Sequence, residues 1–192
     1  MFRTHSFPTT LASAGATALL ASLATAQQVF PAQQFPVGQI PQFTNITDMD
    51  GDGKLDLVTA NKASAFLTVL RGRGNGTFTP GTNVTLPTSG TVTMAYGDLT
   101  GDGKSDFVTG AATILNIVPA LGGGLFGPGN TIAAGGTPMS VAVGNLNGDG
   151  FTDMVVATAA GNLSVHIGVG GGIFAPPVIT PYGFTPKPTV PW

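Results

Sequence analysis

The sequence predicts an all-β protein built from three consecutive four-stranded units, and three observations carry that prediction. An Asp-rich loop motif recurs three times. A Gly-rich turn followed by Phe-x-Pro recurs in phase with it. The composition, with 29 Gly and 15 Pro among 192 residues and many Val, Thr, Leu and Phe, favours short strands and turns over helices.

Charge and length narrow the class further. Seven basic residues stand against nine acidic ones, for a net charge of -2, which leaves no polybasic surface for nucleic acid. The chain is 42% hydrophobic and 8% charged, the opposite of a disordered composition. Its length suits one domain with a core. Cysteine is absent, which excludes disulfides and thiolate metal sites. There is no Glu, and all nine Asp fall in three windows, 48–56, 98–106 and 149–153. Acid kept for solubility would be scattered; here it is used locally.

Taken in order, residues 1–26 read as a secretory signal. Arg3 and His5 give a weakly basic start, an apolar run through Leu19, Leu20 and Leu23 follows, and Ala24-Thr25-Ala26 is a small-x-small cleavage site. The run is broken by Ser, Thr and Gly and is shorter than the roughly 20 residues of a spanning helix. The expected product is secreted, extracellular or on the cell surface, with no membrane span. Residues 27–36 are a linker.

The first unit, 37–84, opens with Asp48-Met-Asp50-Gly-Asp52-Gly-Lys-Leu-Asp56-Leu-Val58. The second, 85–134, carries Asp98-Leu-Thr100-Gly-Asp102-Gly-Lys-Ser-Asp106-Phe-Val108, and the third, 135–182, Asn145-Leu-Asn147-Gly-Asp149-Gly-Phe-Thr-Asp153-Met-Val155. The second loop starts 50 residues after the first and the third 47 after the second. Phe78, Phe126 and Phe174 follow the loop starts by 28 to 30 residues, each with Pro two positions on (Pro80, Pro128, Pro176). Within a unit the pattern is strand, acidic loop, strand, tight turn, strand, Gly turn, strand. Leu163-Ser-Val165-His-Ile167 alternates with period two, as a half-buried strand does. That alternation puts His166 and Ser164 on the solvent side. Asn75-Gly76 suits a hairpin turn with two positive φ angles, and Gly122–Gly124 and Gly170–Gly172 occupy the matching places. No Gly-Lys-Ser/Thr follows these glycines, so they form turns and not a phosphate cradle.

Four-stranded units of this length are the size of propeller blades, and the motif resembles the FG-GAP/VCBS repeats, the calcium-loop blades of integrin-α-type β-propellers. The likeness runs over about residues 37 to 180, nearly everything after the signal. It implies three consecutive four-stranded β-propeller-like blades, an incomplete or open propeller. Family propellers close with about seven blades, and three cannot close a ring. Thr185-Pro186 aligns with Thr137-Pro138, so residues 183–192 read as a Pro-rich tail or the start of another blade. The chain is expected to be part of a longer product, or to self-associate or be completed by further blades. An open stack leaves unpaired edges, and little charge outside the loops remains to blunt them.

Calcium takes six to eight oxygens at about 2.3–2.6 Å. A nine-residue loop supplies them from side chains at positions 1, 3, 5 and 9 and a carbonyl at position 7. The ligand sets are Asp48, Asp50, Asp52, the Lys54 carbonyl and Asp56; Asp98, Thr100, Asp102, the Lys104 carbonyl and Asp106; and Asn145, Asn147, Asp149, the Phe151 carbonyl and Asp153. Gly53, Gly103 and Gly150 permit the sharp turn. Like charges packed this closely repel without a cation. An EF-hand would place Glu at position 12, where Thr59, Thr109 and Val156 stand. Metal-free Asx turns compete with this reading in loop three.

Without Glu or Cys, and with every Asp in a loop, catalytic constellations lack raw material. Arg71 and Arg73 read as solvated residues beside a turn. Asn45, Asn75, Asn83 and Asn162 match the glycosylation pattern, which arises easily in a Thr-rich chain. The expectation is a non-catalytic, calcium-stabilised binding or adhesion module with up to three Ca2+ and a protein or glycan partner. Two alternatives stand beside it: a lectin-type propeller, disfavoured by few Trp and Tyr, and a scaffold within a larger secreted enzyme or surface protein.

Overall fold

In the computed structural model, residues 34–181 are described, so the signal at 1–26, most of the linker and the tail lie outside. Every regular element among them is a β-strand, and all pairings are antiparallel. No helix among them is long and apolar enough to cross a membrane. The first sheet runs β1 (Pro41–Thr47), β2 (Asp56–Asn61), β3 (Phe66–Gly72), β4 (Phe78–Pro80), with β5 (Val84–Thr85) also on β3. The second is built from β6 (Thr91–Gly97), β7 (Asp106–Ala111) and β8 (Ile114–Val118). A small hairpin follows, β9 (Ala120–Gly122) with β10 (Leu125–Phe126), and then β11 (Asn130–Ala133) closes the sheet on β8. The third is β12 (Pro138–Gly144), β13 (Asp153–Thr158), β14 (Asn162–His166) and β15 (Val178–Pro181), in that order. The strand, acidic loop, strand, turn, strand order expected from the sequence is the one observed.

The repeated Phe is not the uniform start of a fourth strand. Phe78 opens β4, but Phe126 sits in the separate hairpin and Phe174 makes only an isolated bridge to Gly168. In every unit a later strand, β5, β11 or β15, pairs with the third strand at the matching register.

Two cores lie between the sheets rather than within one barrel. Val58, Ala60, Leu67 and Val69 of the first sheet meet Met94, Phe107 and Val118 of the second. Val108, Leu115 and Ile117 of the second meet Val141, Met154 and Val156 of the third. Alternation along each strand sends neighbours to opposite faces. Strand β7 is therefore buried at all six positions, because its sheet is covered on both sides. Strand β13 alternates between buried and half-buried after its first two residues.

Two local expectations fail. His166 is buried, as is Ser164, while Leu163, Val165 and Ile167 are only half-buried. The apolar residues of this strand face outward because the second sheet covers the other side, where His166 Nε2 pairs with Ser164 Oγ at 3.1 Å. Around residue 75, Gly74 and Gly76 carry the positive φ angles of 75° and 79°, and Asn75 does not. Asn75 instead accepts hydrogen bonds from the Thr77 N–H (3.1 Å) and hydroxyl (2.7 Å).

Candidate metal centres

Each acidic loop joins the first two strands of its sheet and is wound by its own side chains. In loop one the Asp48 carboxylate accepts the N–H groups of Gly51 (2.8 Å) and Gly53 (2.9 Å). In loop two Asp98 accepts those of Gly101 (2.6 Å), Asp102 (3.1 Å) and Gly103 (2.8 Å). Asn145 repeats the first of these bonds with Gly148 at 2.7 Å. The glycines at positions 4 and 6 have φ between 79° and 91°, a region that L side chains rarely adopt, which is why the motif places Gly there.

Position nine is the keystone of every loop. Asp56, Asp106 and Asp153 are buried, and both oxygens of each carboxylate hold backbone donors. Asp56 accepts from Met49 (3.0 Å) and Gly72 (2.7 Å). Asp106 accepts from Leu99 and Thr100 (both 2.9 Å) and from Ala120 (2.7 Å). Asp153 accepts from Leu146 (2.7 Å) and Gly168 (2.8 Å). One side chain thus ties the loop to the backbone at the end of the sheet's third strand or just beyond it. A buried carboxylate is tolerated because charge-assisted bonds replace its hydration.

The remaining donors differ between loops. In loop one Asp48, Asp50 and Asp56 each offer an oxygen within 4.8 Å of the others. This donor set is hard and all-oxygen, as calcium requires. In loop two Thr100 Oγ1 is buried without a hydrogen bond of proper geometry. It is nonetheless close enough to Asp102 to favour that carboxylate's ionised form. An unsatisfied oxygen among carboxylates fits a cation ligand. Loop three has fewer free donors: Asn147 Nδ2 donates to Asp149 (2.8 Å), and Asp149 accepts the Phe151 N–H (2.8 Å).

Position five stands apart. Asp52 and Asp102 each turn to the Lys two residues on, at 2.6 Å to Lys54 and Lys104. The lysine hydrogen bond, helped by the backbone N–H of the same residue, holds both carboxyls below the usual range, and Lys54 is raised in turn. These pairs are exposed, so they restrain the loop more than they stabilise the fold. The position-seven residues Lys54, Lys104 and Phe151 lie in the same turns.

Arg71 corrects its reading as a solvated residue. Its Nη1 pairs with Asp50 at 3.1 Å and its Nη2 donates to the Gly123 carbonyl at 3.3 Å, so it links the first sheet to the turn of the β9–β10 hairpin. The signal was present in the repeat: Pro119 and Ile167 occupy the matching positions, and only unit one places a charge there. Arg73 is exposed, as expected.

The fold and these loops define a class, an all-β repeat protein with an acidic turn in every sheet. Residues 48–109 match the model described as FG-GAP-like repeat and residues 137–172 the one described as FG-GAP repeat. The chain belongs to the FG-GAP repeat family. A search of curated proteins returns no match. Among solved structures it is similar to an Agrocybe aegerita lectin described in recognition of non-reducing terminal N-acetylglucosamine. That likeness has 21% identity and a TM-score of 0.53, covering 73% of this chain and 38% of that one. It is also similar to BBS1N in complex with ARL6DN, at 18% identity and a TM-score of 0.53, covering 74% of this chain and 44% of that one. Both are propeller-type proteins, and the likeness is one of fold. The chain spans less than half the length of either.

Proposed function

We propose that the protein is an exported, calcium-stabilised binding module without catalysis of its own. The gathering of Asp48, Asp50 and Asp56 within 4.8 Å is the observation that carries this reading. Calcium bound there would neutralise the carboxylates and lock loop one, with Asp98, Thr100, Asp102 and Asp106 holding a second ion and Asn145, Asn147, Asp149 and Asp153 the weakest. The metal is structural. Adhesion to a protein partner fits a repeat scaffold whose chemistry is spent on its own loops. Calorimetric titration of the metal-free protein tests the reading; heat for two or more calcium ions is expected, and no binding at millimolar calcium overturns it.

A second reading, glycan binding, is favoured by a groove of about 510 Å³ between Thr82–Pro87 and Gly124–Gly129. It is uncharged, with Asn83, Thr82 and Thr85 beside Phe126, a polar rim next to an aromatic face. Screening a glycan array that includes terminal N-acetylglucosamine tests it, and Phe126→Ala should abolish any signal.

A further inference from the structure

The two internal seams share a feature that the ends of the chain carry in separate halves. Where the first sheet meets the second, Met49 at position two of loop one packs on the core containing Phe107 and Phe126. Where the second meets the third, Leu99 at the same position of loop two is buried in the core with Met154 and Phe174. The third loop has Leu146 there, and it is 57% exposed.

The matching socket lies at the other end of the chain. The first sheet has an open cavity of about 410 Å³, lined by Ile46, Gly53, Lys54, Leu55, Leu57 and Phe78, with Gly72 and Gly74 at its edge. Register identifies it. Gly72 and Ala120 donate to the equivalent Asp56 and Asp106, so Gly53, Lys54, Gly72 and Gly74 correspond to Gly103, Lys104, Ala120 and Gly122. Those four line a space whose other wall is Asp48–Gly51 of loop one. The first sheet's cavity is therefore a seat for an acidic loop, and no loop of the described residues fills it. Leu57 and Phe78 stand where Phe107 and Phe126 receive Met49.

The sheet faces behind knob and socket agree. Val58 pairs with Val69 and Ala60 with Leu67, a quartet buried against the second sheet. In the third sheet Val155 pairs with Val165 and Ala157 with Leu163, the same four residue types in the same register, yet only half-buried. Ala142 and Val178, aligned with Val155 and Val165, extend this face, and it carries no charge. Residues 35–40 leave the socket open: Phe35 meets Phe78 edge-on at 5.5 Å but does not line the cavity. Gly38 N–H donates to Thr68 Oγ1 (3.1 Å), just as Thr88 before the second sheet bonds Asn116 (3.0 Å) and Gly135 before the third lies against Ser164. Such segments accompany both internal seams and leave the loop end open.

We propose that the third sheet of one copy docks on the first sheet of a second copy, with Leu146 seated in the Ile46–Leu57–Phe78 cavity. The contact continues the two existing seams, and it is head-to-tail, so two copies either close on each other or continue into a string. The inference does not rest on calcium binding. Sedimentation of the full chain at fixed calcium tests it, using Leu146→Asp to spoil the knob and Ile46→Asp to spoil the socket. Ile46 is 58% exposed, so neither change burdens the core, and circular dichroism checks that both variants fold. Wild type should associate, each variant alone should weaken association at least about tenfold, and an equimolar mixture should restore a one-to-one pair through the one intact knob and socket. A wild type that stays monomeric at every concentration overturns the proposal. So does association that survives both substitutions, or that Leu146→Asp abolishes while Ile46→Asp leaves intact, which would mean that like faces pair.

Discussion

Replacing Asp106 by Ala separates the structural work of an acidic loop from its metal chemistry. The carboxylate is buried and accepts the N–H groups of Leu99, Thr100 and Ala120 at 2.7 to 2.9 Å. Two of those bonds are fully buried and the third partly so. A buried donor left without a partner costs about 1–3 kcal/mol. Two such donors, with the third partly rehydrated, put the expected loss at about 3–5 kcal/mol. That is a large share of a typical domain stability of about 5–15 kcal/mol. The measurement is urea unfolding followed by far-UV circular dichroism in excess chelator, so that no bound cation contributes. Asp102→Ala serves as the control: its carboxyl is exposed and paired only within the loop, and the unfolding midpoint should not move. A loss below about 1 kcal/mol for Asp106→Ala in chelator would refute the keystone argument and leave position nine a metal ligand alone.

Calcium should raise the melting temperature: one site at 100 times its Kd adds about 2.7 kcal/mol, or about 5–10 °C for a domain of this size, and a curve unchanged by chelator would sink the metal reading. The sites should rank by ligand charge, four Asp in loop one, three in loop two and two in loop three; titration of Asp48→Ala, Asp98→Ala and Asp149→Ala should remove the tightest, middle and weakest sites, and the reverse order would mean that rigidity outweighs charge. Burial holds the His166 pKa below its ordinary value, with the Ala134 backbone bond opposing. The unfolded chain therefore takes up the proton first, and stability is full above about pH 6.5 and declines as pH falls below it; this component should vanish in His166→Leu, and a wild-type profile flat from pH 7.5 to 5.5 would contradict it. Met154→Ala should cost about 2–5 kcal/mol in thermal unfolding, because Met154 is fully buried between the second and third sheets.

The sequence by itself determined what is local. Three copies of Asp/Asn-x-Asp/Thr/Asn-Gly-Asp-Gly specify a turn, because Gly supplies the positive φ angles and the first side chain of each loop caps N–H groups that follow. Alternating Val, Ala, Leu and Thr specify strands, and the spacing of loop and Phe-x-Pro specifies three units in order. What tertiary structure decided is which face of each strand is inside. Period-two alternation marks two faces without naming the buried one, and in β14 the second sheet covers His166 and Ser164 and leaves Leu163 and Val165 half-open. It also decided the partners of long side chains: Arg71 reads as solvated until the β9–β10 hairpin brings Gly123 beside it, 52 residues along the chain. Position nine shows both contributions in one residue. Its Asp is written in the motif, but the Gly72, Ala120 and Gly168 donors that fill it arrive only when the third strand folds back, because a buried carboxylate is stable only where distant backbone completes its hydrogen bonds.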